Sequence, residues 1–192
     1  MKKTDNDNLK SKLDLRRYFL EKYHREGVLS VCDCCMGSGV LWSKLKREFK
    51  VKDYIGMDVK PKKGRLKIDS ARYLQAGGYG HDVIDVDTYG SPWKHYVEIL
   101  KHINSDVTLF LTIGATKIGG GCILSNIVKK RIGLDKIKNL PMVFMAKLEK
   151  IQVESMIPIC LDYSFEIVEC LESERGKNAR YVGIRLRKTC KS

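Results

Sequence analysis

Val28-Leu29-Ser30-Val31-Cys32-Asp33-Cys34-Cys35-Met36-Gly37-Ser38-Gly39 is the stretch from which the fold can be read. Val28 to Cys35 is an apolar run of strand length, bounded by Gly27 and Gly37, which predicts a buried strand. Gly37 and Gly39 then mark a sharp turn where the backbone can approach a ligand closely. Leu41, Trp42, Leu45 and Phe49 follow at helical spacing, so Val40 to Phe49 is read as an amphipathic helix. A buried strand, a Gly-x-Gly turn and a helix form the opening unit of a nucleotide-binding α/β sheet. The third glycine of a dinucleotide fingerprint would fall at Trp42, which is too bulky for that role. No G-x-x-x-x-G-K-[ST] run exists, so a P-loop site is excluded.

The rest of the chain extends this alternation. Leu9, Leu13, Leu20 and Tyr23 predict a helix over Leu9 to Glu26, so residues 1–27 are read as an N-terminal helical extension and residues 28–192 as the main domain. Further strands are expected at Tyr54 to Val59, just before Asp69, at Asp82 to Val86 and at Val107 to Ile113. Helices are expected from Pro92 through Ile103, near Ile123 to Arg131 and near Met142 to Met156. Phe165 to Leu171 and Arg180 to Arg187 read as a closing antiparallel hairpin. Strand alternating with helix implies a doubly wound, mostly parallel sheet.

Composition narrows the partner. The 192 residues carry 36 Lys and Arg against 23 Asp and Glu, a net charge of +13, which favours a polyanion such as nucleic acid. The bases are clustered: ten Lys or Arg against three acids from Lys44 to Lys67, and seven against none from Arg175 to Ser192. Lys129-Lys130-Arg131 is a third group. Gly80 to Gly90 reverses the sign, with three acids and no base, as a site for a cationic ligand would. The seven cysteines show no C-x-x-C or zinc spacing, and Cys32, Cys34 and Cys35 are read as buried side chains, with no metal expected. His24, His81, His95 and His102 form no triad. Met1 to Arg17 is charged throughout and the longest apolar stretch is about ten residues, so no signal peptide or membrane span is expected and the cytoplasm is the expected location.

Three acids are placed for ligand chemistry. Asp33 lies four residues before the first glycine of the turn. Asp58, 19 residues after Gly39, can accept both hydroxyls of a ribose. Asp69 suits the amino edge of an adenine. The acid-x-x-x-G-x-G turn with acids after the second and third strands resembles the class I S-adenosylmethionine-dependent methyltransferases. That likeness implies a Rossmann-like α/β fold with helices on both faces of seven strands ordered 3-2-1-4-5-7-6, strand seven antiparallel. It also implies S-adenosylmethionine as cofactor, held by Asp33, Cys34, Gly37, Gly39, Asp58, Asp69, Ser70 and Asp85.

The loop His81-Asp82-Val83-Ile84-Asp85-Val86-Asp87-Thr88-Tyr89-Gly90-Ser91-Pro92-Trp93 is the most specific segment. It is similar to the D-x-I-D-x-D-P-[FY]-G-[ST]-P loop of the tRNA guanine N2-dimethyltransferase family, with Thr88 where that family has proline. The resemblance implies methylation of an exocyclic amine on a nucleic-acid base, RNA before DNA. An aromatic amine is a poor nucleophile because its lone pair is delocalised. The Asp87 carboxylate or the Thr88 carbonyl would accept its hydrogens as positive charge develops, with Asp85 the rival acceptor. Tyr89 would stack on the base. A DNA adenine or cytosine amino-methyltransferase and a non-catalytic cofactor- or RNA-binding subunit are the alternative readings, and protein methylation is a more distant one.

Overall fold

Near-continuous burial along short apolar segments, β3 and β4 above all, builds a sheet with two covered faces. The computed structural model describes residues 8–61, 67–88, 91–114, 116–118, 121–137, 140–141, 145–173 and 179–189. In chain order the elements are α1 (Leu9–His24), β1 (Leu29–Asp33), α2 (Val40–Leu45), β2 (Val51–Gly56), α3 (Ser70–Ala76), β3 (Val83–Val86), α4 (Trp93–His102) and β4 (Val107–Gly114). There follow β5 (Thr116–Ile118), β6 (Gly121–Ile123), α5 (Asn126–Arg131), β7 (Leu140–Pro141), α6 (Met145–Glu154), α7 (Met156–Asp162), β8 (Phe165–Glu172) and β9 (Ala179–Lys188).

Among the described residues the main sheet has six strands in the order β2-β1-β3-β4-β9-β8, where seven were expected. It follows the expected order without the first member. At that edge the described residues contribute a single parallel bridge, Asp58 to Lys67. Residues 62–66, on which most of that expected strand falls, lie outside the described residues. β1 to β4 are mutually parallel, whereas β9 runs antiparallel to both β4 and β8. β2 begins three residues earlier than the sequence suggested, and α2 ends at Leu45, its last turn closing with i→i−3 bonds such as Glu48 N to Leu45 O. A small sheet, β5-β6-β7, follows β4 and was not foreseen.

The two faces bury different cores. Cys32, Ile84, Val86, Leu109 and Leu111 pack with Leu74 of α3, Trp93, Tyr96 and Ile99 of α4, and Ile159 of α7. On the opposite face Val31, Val83, Phe110 and Tyr181 meet Leu13, Phe19 and Leu20 of α1 and Trp42 and Leu45 of α2. Gly183 lets α1 approach β9, since a Cβ there would lie 2.5 Å from the Phe19 ring. The N-terminal helix is thereby part of the same core as the sheet. None of the described helices is long and apolar enough to cross a membrane.

Candidate functional site

β1 leads out to β2 on one side and the chain returns to β3 on the other, so the strand order reverses at the β1/β3 boundary. In open α/β sheets ligands bind at such switch points, beyond the carboxyl ends of the strands. The candidate residues stand at those ends, in two groups.

The first group surrounds the glycine turn. Gly37 and Gly39 take φ of +51° and +70°, a left-handed conformation that disfavours any side chain, and Gly39 caps α2. The Asp58 carboxylate accepts from Gly37 N at 2.9 Å and from Lys60 N at 2.7 Å, which ties the end of β2 to the turn. Asp69 caps α3, accepting from Ala71 N at 2.9 Å and Arg72 N at 3.3 Å. Beside Asp69 opens a concavity of about 610 Å³ lined by Val59, Lys67, Ile68, Asp69, Arg72 and Tyr73. That volume lies within the ~300–1,000 Å³ typical of small-ligand sites. Val59, Ile68 and Tyr73 offer apolar and aromatic walls for a flat base, with Asp69 at the rim and Asp58 beside Val59. The residues present therefore suit an adenosine moiety. Ser70 is turned away, its hydroxyl 3.0 Å from His95 Nε2 on α4, and the Cys34 side chain is buried with its sulfur 3.7 Å from that of Cys32.

The second group lies at the tips of β1 and β3, beneath α1. Asp33 and Asp85 are register partners. Arg16 of α1 grips Asp85 with both prongs of its guanidinium, each at 2.7 Å, and Trp42 Nε1 donates to the same carboxylate at 2.8 Å. Arg16 and Asp85 are 1% and 2% exposed, so this is an ion pair of the core. Asp33 accepts from the Tyr54 hydroxyl at 2.8 Å. Burial first, then the neighbouring Asp85 charge, pushes the Asp33 carboxyl up to about 8.

Asp87 differs. Its side chain is 27% exposed, with Lys12 Nζ 2.5 Å from Oδ2 and the Thr112 hydroxyl donating to Oδ1 at 2.6 Å. Burial alone would raise this carboxyl, but the charges of Lys12 and Arg16, with hydrogen bonds from Lys12 and Thr112, hold it below the usual carboxylate range. Thr88 Oγ1 is buried and has no hydrogen-bond partner among the described residues. Tyr89 lies outside the described residues.

Lys12, Arg16, Trp42, Tyr54 and Thr112 were not singled out in the sequence. A signal for two of them was present: Lys12 and Arg16 share a helical face with Leu9, Leu13, Leu20 and Tyr23. Two cations inside an apolar stripe indicate buried acidic partners.

A search against family models finds no match to the sequence, and a search of curated proteins finds none either. Solved structures do match. Trm1 from Pyrococcus horikoshii, determined in complex with S-adenosyl-L-methionine, superposes with a TM-score of 0.63 at 15% identity, covering 98% of this chain. The chain spans 59% of the length of that protein. M. jannaschii TYW2, in complex with AdoMet, gives a TM-score of 0.59 at 9% identity over 96% of this chain and 77% of that one. A putative hemolysin from Lactococcus lactis gives 0.59 at 10% identity, with 93% and 87% covered. The chain thus has the Rossmann-like α/β fold found in S-adenosylmethionine-dependent methyltransferases.

Proposed function

We propose that the chain is an S-adenosylmethionine-dependent N-methyltransferase acting on an exocyclic amine of a nucleic-acid base, RNA before DNA. The observation that carries this reading is Asp87, an anionic, partly exposed carboxylate at the β3 tip, next to the glycine turn of a fold that binds this cofactor in other proteins. Asp58 and Asp69, with the Gly37–Gly39 turn, would hold the cofactor's ribose and adenine. When bound, the cofactor supplies an electrophilic methyl group. Asp87 would accept the hydrogens of the incoming amine and stabilise the charge that grows on nitrogen. Asp85 would serve as an anchor, since it is fully buried against Arg16 and Trp42, whereas Asp87 stays partly exposed.

The basic surface supports a polyanionic substrate. Lys44, Arg47, Lys50, Lys52, Lys60 and Lys67 form no ion pair with another described residue, which leaves their charge for phosphates. Affinity for RNA should fall linearly on a log–log salt plot, with a slope on the order of −3 to −7 for about four to eight phosphates. A flat response would return these residues to a solvated surface.

The deciding experiment offers labelled methyl donor with total RNA, DNA or protein and asks which takes label. Label in RNA supports the reading. Label confined to DNA or to protein would replace it with another methyltransferase. A second reading, a non-catalytic cofactor- or RNA-binding subunit, draws on the fact that Lys12 and Thr112 already engage both Asp87 oxygens. Donor binding without label in any fraction would favour it.

A further inference from the structure

We propose that Lys12, on the buried face of α1, is a positioning residue for Asp87: its ammonium orients the carboxylate at the β3 tip and holds its negative charge there. The inference rests on the reading that Asp87 accepts the hydrogens of the substrate amine. Lys12 is 75 residues away in sequence, yet its Nζ stands 2.5 Å from Asp87 Oδ2. The aliphatic stem and ammonium are fixed independently of Asp87. The Lys12 side chain is 10% exposed, its Nζ lies 4.7 Å over the Tyr181 ring of β9, and its backbone carbonyl accepts from Arg16 at 3.0 Å. Arg16 is in turn locked to Asp85. One helix turn therefore carries two cations with different duties. Arg16 neutralises the fully buried Asp85, and Lys12 meets the carboxylate that remains open to the loop.

The groups facing Asp87 from every side decide what removal of Lys12 does. From α1 come Lys12 and Arg16, from the end of β1 Asp33 and Cys35, from β3 itself Asp85, and from β4 the hydroxyl of Thr112. Burial favours the protonated form of Asp87, and Lys12 contributes both charge and a hydrogen bond against it, with Arg16 and Thr112 acting in the same direction as Lys12. Without that ammonium the Asp87 pKa must rise. A reaction that needs the ionised carboxylate then loses its acidic limb at a higher pH. Thr112 alone cannot replace Lys12, because a neutral hydroxyl offers one hydrogen bond and no charge.

The test compares the wild-type chain with Lys12→Met, Lys12→Gln and Lys12→Arg in two measurements. The first follows the Asp87 carboxyl carbon by NMR across a pH titration, assigned by its absence in Asp87→Asn. The second is the pH profile of label transfer from S-adenosylmethionine to total RNA. Lys12→Met and Lys12→Gln should move both the titration and the acidic limb upward by about one to two pH units, and Lys12→Arg should restore most of the shift. Should Lys12→Met not fold, Lys12→Gln keeps a hydrogen-bond donor at the site and carries the same expectation. An Asp87 titration that stays in place in the charge-removing variants overturns the proposal. A titration that moves while the acidic limb stays put leaves Lys12 with its charge-holding role but removes Asp87 from the reaction, and the proposed chemistry fails instead.

Discussion

The two groups of the candidate site, the glycine turn proposed as the donor side and the β3 tip proposed as the acceptor side, are built by different means. Around Gly37, Asp58 and Asp69 the contacts are backbone amides received by short acidic side chains, within 21 residues of each other along the chain. Around Asp85 and Asp87 they are side chains of α1 reaching across 69 and 75 residues. A turn and a helix cap are local devices, set by which residues tolerate a left-handed φ or accept an N–H. The acceptor side instead requires α1 to be docked, and Gly183 is what allows Phe19 to lie close enough for that. Damage should therefore stay local on the donor side and spread through the core on the acceptor side.

The largest effect expected is on stability, at Arg16. Arg16→Met would leave Asp85 buried without its cation, a change that costs roughly 3–5 kcal/mol in such pairs. Urea denaturation should show it, and adding Asp85→Asn to the same chain should recover part of the loss. A midpoint close to wild type would mean that the two sides are not built differently. Next comes Asp87→Ala, which should lower turnover by roughly 10²–10³ while donor affinity changes less than about tenfold. Full activity in that variant would remove Asp87, and with it the amine chemistry.

Asp58→Ala should weaken donor binding by roughly 1–3 kcal/mol in calorimetry, through a lost acceptor and a loosened Gly37 turn. Stability should move less than in Arg16→Met. If binding were unchanged, the ribose assignment would be lost. A further effect, confined to the pH dependence of stability, concerns Asp33, whose carboxyl is raised to about 8 by burial and by Asp85. Between the ordinary carboxylate range and that value the unfolded chain gives up the proton and the folded chain keeps it. The folded state therefore loses stability as pH rises from about 4 to about 8. Asp33→Asn has no proton to lose, so its advantage over wild type should grow steadily across that window. A constant difference between the two chains from pH 4 to 8 would show that Asp33 is ionised in the fold.

Much of the architecture was legible from residue patterns. β1, the Gly37–Gly39 turn, β4 and the β8/β9 hairpin stand close to where apolar runs and turn residues put them, because each is a short segment whose side-chain pattern matches its burial. The third expected strand, just before Asp69, falls largely on residues 62–66, outside the described residues, and among those described the Asp58–Lys67 bridge marks its place. The β5-β6-β7 sheet was missed because strands of two or three residues are too short to carry a period.

The sequence by itself determined the alternation of strand and helix that makes a doubly wound sheet and put Asp58 and Asp69 forward as candidates, since these are local patterns of apolar runs, turn glycines and nearby acids. It brought Asp85 and Asp87 forward as rivals and had no means to separate them, because both point to the same face of β3. Only the packing of α1 distinguishes them. Arg16 and Trp42 enclose Asp85, whereas Lys12 and Thr112 hold Asp87 at the rim with its side chain still 27% exposed. The physical reason is that a carboxylate's role depends on which cations and how much water surround it. Those surroundings come from residues that sequence distance hides and tertiary contact supplies.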